Sequence, residues 1–285
     1  MRIEVNGVRL FFDVEGAKLV PDGAVMREKP TLILLHGGPG DDHSFLRPEF
    51  SQLADACQVI FLDHRGNGRS DPDVAARWNL AQWGDDVWAF CEALQIESPI
   101  VLGISFGGFV AMSYATRHPE HPGKLILLST SARNDAERKV AAFQRLGGAE
   151  AGDAARRAFG GEVSPEVYAD FVRLCLPLYS KAGMDSSMAL RAQRVTRRMA
   201  VAAHFNQPDG EFGTYDFLPM LGTVRCPTLV LAGEDDPACP IEDAEDLAAA
   251  LPPDLVTFER IAEGRHGMFV EEPRVFDIIR KFILS

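Results

Sequence analysis

Four short runs in the first half of the chain are apolar at nearly every position: 31–36 (TLILLH), 58–63 (QVIFLD), 99–104 (PIVLGI) and 124–130 (KLILLST). A strand with one solvated face alternates apolar and polar residues, so these unbroken runs predict strands covered on both faces. Helical patterning fills the gaps between them, most clearly at 80–94 and 106–117. Strands alternating with helices give βαβ units, and therefore a mostly parallel, doubly wound sheet. Residues 8–14 alternate instead and follow Asn6-Gly7, which predicts an antiparallel hairpin at the start.

The pattern changes after Ser131. Residues 132–221 are rich in alanine, arginine and other helix formers and contain no buried-strand run. Ser164-Pro165-Glu166 reads as a helix start, and 186–204 as one long helix. Strand patterning returns at 227–232 and 256–261, and a last helix is expected over 273–284. The expected α/β architecture is therefore a core formed by 1–131 and 222–285, carrying a helical cap at 132–221.

Composition narrows the function by exclusion. With 285 residues and 46% hydrophobic content, the chain can bury a large core without staples. Its formal net charge of -12 argues against nucleic acid or an anionic membrane as partner. Cys57, Cys91, Cys175, Cys226 and Cys239 are scattered without a CxxC pair, so free thiols are expected rather than zinc ligands or disulfides. The start of the chain lacks the apolar run of a signal peptide, and a cytoplasmic location is the expectation.

Chemistry concentrates at Gly103-Ile104-Ser105-Phe106-Gly107, a G-x-S-x-G sequence at the junction of an expected buried strand and helix. A serine on such a turn is exposed, and the flanking glycines let neighbouring backbone approach. The helix N-terminus behind it favours developing negative charge. A serine hydroxyl needs a base, and in this strand-turn-helix arrangement the order is serine, acid, histidine. His266 lies between the last strand and the last helix; His204, inside the helical segment, is the weaker alternative. The acid is expected at Gly233-Glu234-Asp235-Asp236-Pro237, with Asp235 and Asp236 both available.

An oxyanion hole is also required. His36-Gly37-Gly38-Pro39-Gly40 follows the first buried strand and offers the Gly38 amide, opposite the Phe106 amide after the serine. A phosphate cradle is the rival for this loop, but neither G-x-G-x-x-G nor a Lys-Ser/Thr pair is present.

Together the HGGPG loop at 36–40, Asp63-His64-Arg65-Gly66-Asn67-Gly68-Arg69-Ser70, the serine turn and the late acid and histidine resemble the α/β-hydrolase superfamily. Within it they resemble the proline iminopeptidase-like group. The resemblance covers nearly the whole chain, and His204-Phe205-Asn206 before Gly210-Glu211-Phe212 is similar to the end of that group's cap. It selects Asp236, through the G-x-x-D pattern, as the acid. It implies a cofactor-free serine hydrolase with catalytic Ser105, Asp236 and His266, and Gly38 and Phe106 as oxyanion donors.

The implied substrate is a small molecule or short peptide, with release of a small N-terminal residue as the leading activity. The alternative is a carboxylesterase or lactonase, because the GISFG turn departs from the iminopeptidase GGSWG and Asp63-His64-Arg65-Gly66 from DQRG. Amine recognition calls for cap carboxylates, and Glu162, Glu166, Asp209 and Glu211 are the candidates. Arg191, Arg194, Arg197 and Arg198 are expected to form a solvated helix face, and Phe171, Leu174, Leu178 and Tyr179 the contact between cap and core.

Overall fold

The computed structural model describes residues 1–162 and 164–285. Among the described residues there are ten strands: β1 (Arg2–Val5), β2 (Val8–Glu15), β3 (Leu19–Asp22), β4 (Val25–Glu28), β5 (Thr31–Leu35), β6 (Gln58–Leu62), β7 (Ile100–Ile104), β8 (Lys124–Leu128), β9 (Thr228–Gly233) and β10 (Val256–Ile261). Eight of them form one sheet in the order β1-β2-β6-β5-β7-β8-β9-β10. The run from β6 to β10 is parallel, and β1 and β2 pair antiparallel at one edge.

The apolar runs become strands because both of their faces have helical cover. Ile33, Leu35, Val101, Leu125, Leu127 and Val230 point into one layer, against helices Leu80–Ala93, Phe106–Arg117 and Ile241–Ala250. The alternate residues Leu32, Leu34, Leu102, Ile126, Leu128 and Leu229 point into the other, against the final helix Arg274–Leu284. That helix buries Val275, Phe276, Ile279 and Ile283 at i, i+1, i+4 and i+8. Each such side chain contributes about 1.5–3 kcal/mol on burial.

Between β8 and β9 the described residues contain no strand, and helices occupy much of the segment from Ala136 to Asn206. The expected helix start at 164–166 forms, with Ser164 Oγ accepting the Val167 N–H at 3.2 Å. The single helix expected over 186–204 is instead two, Ser186–Arg194 and Met199–Asn206. No proline or glycine breaks it. The interruption is tertiary: Thr196 N–H donates to Asp42 Oδ2 (3.2 Å) and Arg198 N–H to the Gly40 carbonyl (2.7 Å), so these amides leave the helical ladder.

All five cysteines are buried and free. Among the described residues no helix is long and apolar enough to cross a membrane.

Candidate active site

Ser105 follows β7 directly and precedes the helix Phe106–Arg117, with φ 53° and ψ -120°. A positive φ on a side-chain-bearing residue stores roughly 1–3 kcal/mol, which the surroundings must hold. They do so through three hydrogen bonds: Ser105 N–H donates to Leu128 O (3.1 Å), and its carbonyl accepts from Gly108 N–H and Thr130 Oγ1, both at 2.8 Å. The flanking glycines are obligatory for contact reasons. A Cβ on Gly103 would overlap the Gly107 carbonyl, and one on Gly107 the carbonyl of Leu35 at the end of β5. The turn therefore presses against the strand that leads into the HGGPG loop.

That loop lies beside the serine. A Cβ built on Gly37 would stand 3.5 Å from Ser105 Cβ. Gly38 adopts φ 118°, a conformation open to glycine. Phe106 is the first helical residue, so its N–H has no acceptor inside the helix. Its ring is fully buried, edge-on to Trp83 and Phe205 at centroid distances of 5.1 and 5.2 Å.

The 63–70 turn is the foundation under this loop, a role its sequence did not reveal. Asn67 Oδ1 accepts the Gly40 N–H (2.6 Å), and His64 N–H donates to His36 Nε2 (3.3 Å). His36 Nδ1 in turn lies 2.7 Å from the Gly37 carbonyl, so that nitrogen carries the ring proton. Burial works against charge on Asp63, yet hydrogen bonds from His43 and from the Arg69 amide hold its carboxyl below the usual carboxylate range. Arg65, wholly buried, clamps Asp86 with two hydrogen bonds of 2.7 Å. Burial drives the His64 imidazole far below its ordinary pKa, aided by neighbouring His36, and the ring stays neutral.

Asp236 follows β9 and His266 follows β10, both at the carboxyl edge of the sheet that also carries Ser105. His266 Nδ1 sits 2.9 and 3.1 Å from the two Asp236 oxygens. Asp236 is buried, and its Oδ1 also accepts the N–H groups of Ala238 (2.8 Å) and Cys239 (2.9 Å). Asp235 points elsewhere, with a half-exposed side chain 3.8 Å from Arg145. His204 lies apart, against Trp78. Among the described residues, Ser105 Oγ makes no hydrogen bond in this conformation, and neither does His266 Nε2.

The helical segment grips this site at two places. At one, the Tyr179 ring meets His266 edge-on at 4.7 Å, and its carbonyl accepts the Gly267 N–H (2.8 Å). Arg265 donates to the Ser180 carbonyl (3.0 Å), while Glu271 accepts from Ser180 Oγ and from the amides of Lys181 and Ala182. No sequence signal set Tyr179 apart from the other aromatics near it. At the other place, the arginines expected on a solvated face are tethers to the core. Arg197 pairs with Asp41 (3.0 Å), Arg198 Nε donates to the Gly68 carbonyl (3.0 Å), Arg194 reaches the Arg47 carbonyl (3.1 Å), and Arg191 pairs with Glu49.

The carboxylates considered for binding a substrate amine are engaged or exposed. Glu162 pairs with Arg157 at 2.9 Å, Glu166 and Asp209 face solvent, and Glu211 accepts the Leu80 N–H at 2.7 Å. Aromatic rings of the segment form a chain of contacts instead. It runs from Tyr179 beside His266, through Phe171, Phe159, Phe212 and Phe205, to Phe106 next to the serine, with successive centroids 5.2–6.2 Å apart.

Strand order, serine turn and acid–histidine pair together define an α/β hydrolase. A family model described as alpha/beta hydrolase fold matches residues 30–273, and the chain belongs to that hydrolase family. Its relatives include the putative carbamate hydrolase RutD of Caulobacter sp. strain K31, 29% identical over 252 residues (86% of this chain, 87% of that one). A proline iminopeptidase of Clostridium botulinum is 28% identical over 279 residues, 92% of each chain. Among solved structures, the proline iminopeptidase of Mycobacterium smegmatis superposes with a TM-score of 0.77 at 21% identity, covering 99% of this chain and 97% of that one. Esterases and an enol-lactonase also share the fold.

Proposed function

We propose that the protein is a serine hydrolase working through an acyl-enzyme, with Ser105 as nucleophile, His266 as base and Asp236 as its orienting acid. The observation that carries this reading is the His266 Nδ1–Asp236 contact of 2.9 Å, at the same sheet edge as the strained Ser105. Asp236 fixes the proton on Nδ1 and leaves Nε2 as the basic nitrogen. Nε2 takes the Ser105 proton as Oγ attacks the substrate carbonyl. The amides of Gly38 and Phe106 hold the developing oxyanion, a contribution of about 10²–10³-fold in rate per donor. The imidazolium then protonates the leaving group, and water reverses the sequence to release the acid.

For the substrate, we favour a small ester or lactone with an apolar acyl part. Support comes from the aromatic chain between Tyr179 and Phe106, and from the commitments of Glu162 and Glu211 to Arg157 and Leu80. In this reading the segment 132–221 acts as the cap, and it supplies the rings of that chain from Phe159 to Phe212. Release of a small N-terminal residue is the second reading, carried by the HGGPG loop and the 28% identity to a proline iminopeptidase.

The test compares a short-chain p-nitrophenyl ester, an acyl-homoserine lactone and proline p-nitroanilide on wild type and Ser105→Ala. Ester or lactone turnover, absent from the mutant and unaccompanied by anilide cleavage, is the expected outcome. Efficient anilide cleavage would reverse the order of the two readings.

A further inference from the structure

Behind the catalytic pair lies a thiol that the proposed mechanism does not use. Cys239 is buried beside Asp236 and His266, and its Sγ, an Asp236 oxygen and a His266 ring nitrogen all lie within 4.8 Å of one another. We propose that these three side chains form a binding site for one divalent cation of the zinc type, and that its occupation switches the enzyme off.

The donor set is the first argument. One thiolate, one imidazole nitrogen and one carboxylate are the ligand types zinc takes, with water completing a tetrahedron. Spacing is the second. The Nδ1–Oδ separations of 2.9 and 3.1 Å are already near those of two ligands on one ion, which at bonds of about 2.0–2.1 Å and tetrahedral angles stand roughly 3.3 Å apart. The thiol, within 4.8 Å of both partners, is on a side chain with a single torsion to adjust toward a zinc–sulfur bond of about 2.3 Å. Charge is the third. Thiolate and carboxylate neutralise a divalent ion, so the occupied site carries no net charge into a buried setting.

Proton accounting explains the inhibition. The Cys239 thiol loses its proton to solvent as the metal–sulfur bond forms. The ion takes the Nδ1 lone pair, so the neutral ring carries its proton on Nε2. A protonated Nε2 cannot accept the Ser105 proton. The loss of activity rests on His266 being the base, whereas the binding itself does not.

The experiment uses the full chain, wild type and Cys239→Ser, with cobalt(II) as spectroscopic probe and zinc as inhibitor. Wild type is expected to develop a near-ultraviolet thiolate-to-cobalt absorption saturating at one equivalent, absent from Cys239→Ser and from His266→Ala. Zinc is expected to inhibit wild type reversibly with EDTA. Inhibition of Cys239→Ser, read against its own zinc-free rate, should need about tenfold more zinc or greater, since even outer partners of a metal site are worth 10–100-fold. Cys239→Ala provides a second variant with the same expectation. Absence of the cobalt–thiolate band in wild type, or cysteine variants as sensitive to zinc as wild type, overturns the proposal. A band that forms normally while zinc leaves turnover untouched would keep the binding site but overturn the switch, and would locate the error in the role given to His266.

Discussion

The N–H of Arg198 donates to the carbonyl of Gly40 at 2.7 Å, so the point where the long helix breaks is also the point where the HGGPG loop is held. Arg197–Asp41 and Thr196–Asp42 contacts flank this bond. The helical segment and the proposed oxyanion donor are thus joined by backbone as well as by charge.

Replacing Ser105 or His266 by alanine should lower kcat by about 10⁴-fold or more, since members of a triad act as one unit. The melting temperature should change little for His266→Ala. Steady-state kinetics with the preferred ester, alongside thermal melts, checks both. A residual rate near wild type in Ser105→Ala would remove it from the mechanism.

Asp236→Asn and Asp235→Asn separate the two neighbouring acids. The first should cost about 10⁴-fold in kcat, because an amide in this place favours the wrong imidazole tautomer. The second should be nearly neutral, since Asp235 touches Arg145 at 3.8 Å rather than His266. Equal losses in kcat for both would contradict the assignment.

Glu211→Gln tests whether the cap carboxylates bind substrate. The side chain caps the N-terminal turn of helix Leu80–Ala93 through the Leu80 N–H, so the change should cost about 1 kcal/mol of stability. Ester KM should stay within about twofold of wild type if the residue only caps, a difference of well under 1 kcal/mol. A large rise in KM would return Glu211 to the substrate site.

Arg191 and Glu49 form an ion pair with side chains 10% and 13% exposed. Arg191→Met leaves a largely buried carboxylate unpaired and should destabilise by about 3 kcal/mol. Adding Glu49→Gln should recover part of that loss, as urea midpoints of the single and double variants would report. Additive losses would mean that the pair is not coupled.

Asp63 gives the fold a dependence on acid. Its carboxyl pKa is lowered in the folded state, so its contribution is fully present above the unfolded value of about 3.9 and is lost as pH falls through the folded one. Wild type should therefore lose stability from about pH 4 downward, and Asp63→Asn, weaker at pH 6, should lose less over that interval. Urea unfolding at pH 6, 4 and 3 measures the two slopes. Parallel slopes would exclude Asp63 as a source.

Legibility in the sequence followed the number of covered faces. β5, β7 and β9 are buried on both sides and were readable from apolar runs alone. The hairpin of β3 and β4 left no such mark, since Leu19, Val25 and Met26 are about half exposed or more and no core selects their residues. Local chemistry located Ser105, because strand, glycines and helix coincide there. The acid was ambiguous between adjacent aspartates, and direction, not composition, separates Asp236 from Asp235. The break after Arg194 and the tethers of Arg191, Arg197 and Arg198 were illegible because their partners, Glu49, Asp41 and Gly40, are about 140–160 positions away in the chain. In the sequence Tyr179 is one aromatic among several, and only its packing against His266 sets it apart.

The stitches at Tyr179–Gly267 and Arg198–Gly40 make the helical segment and the sheet of this molecule mechanically one piece. A helical segment transplanted here without those two contacts would leave the histidine loop and the glycine loop unsteadied. Such a chimera would change its preferences and its rate together, and an evolving lineage would have to move both through the same few contacts.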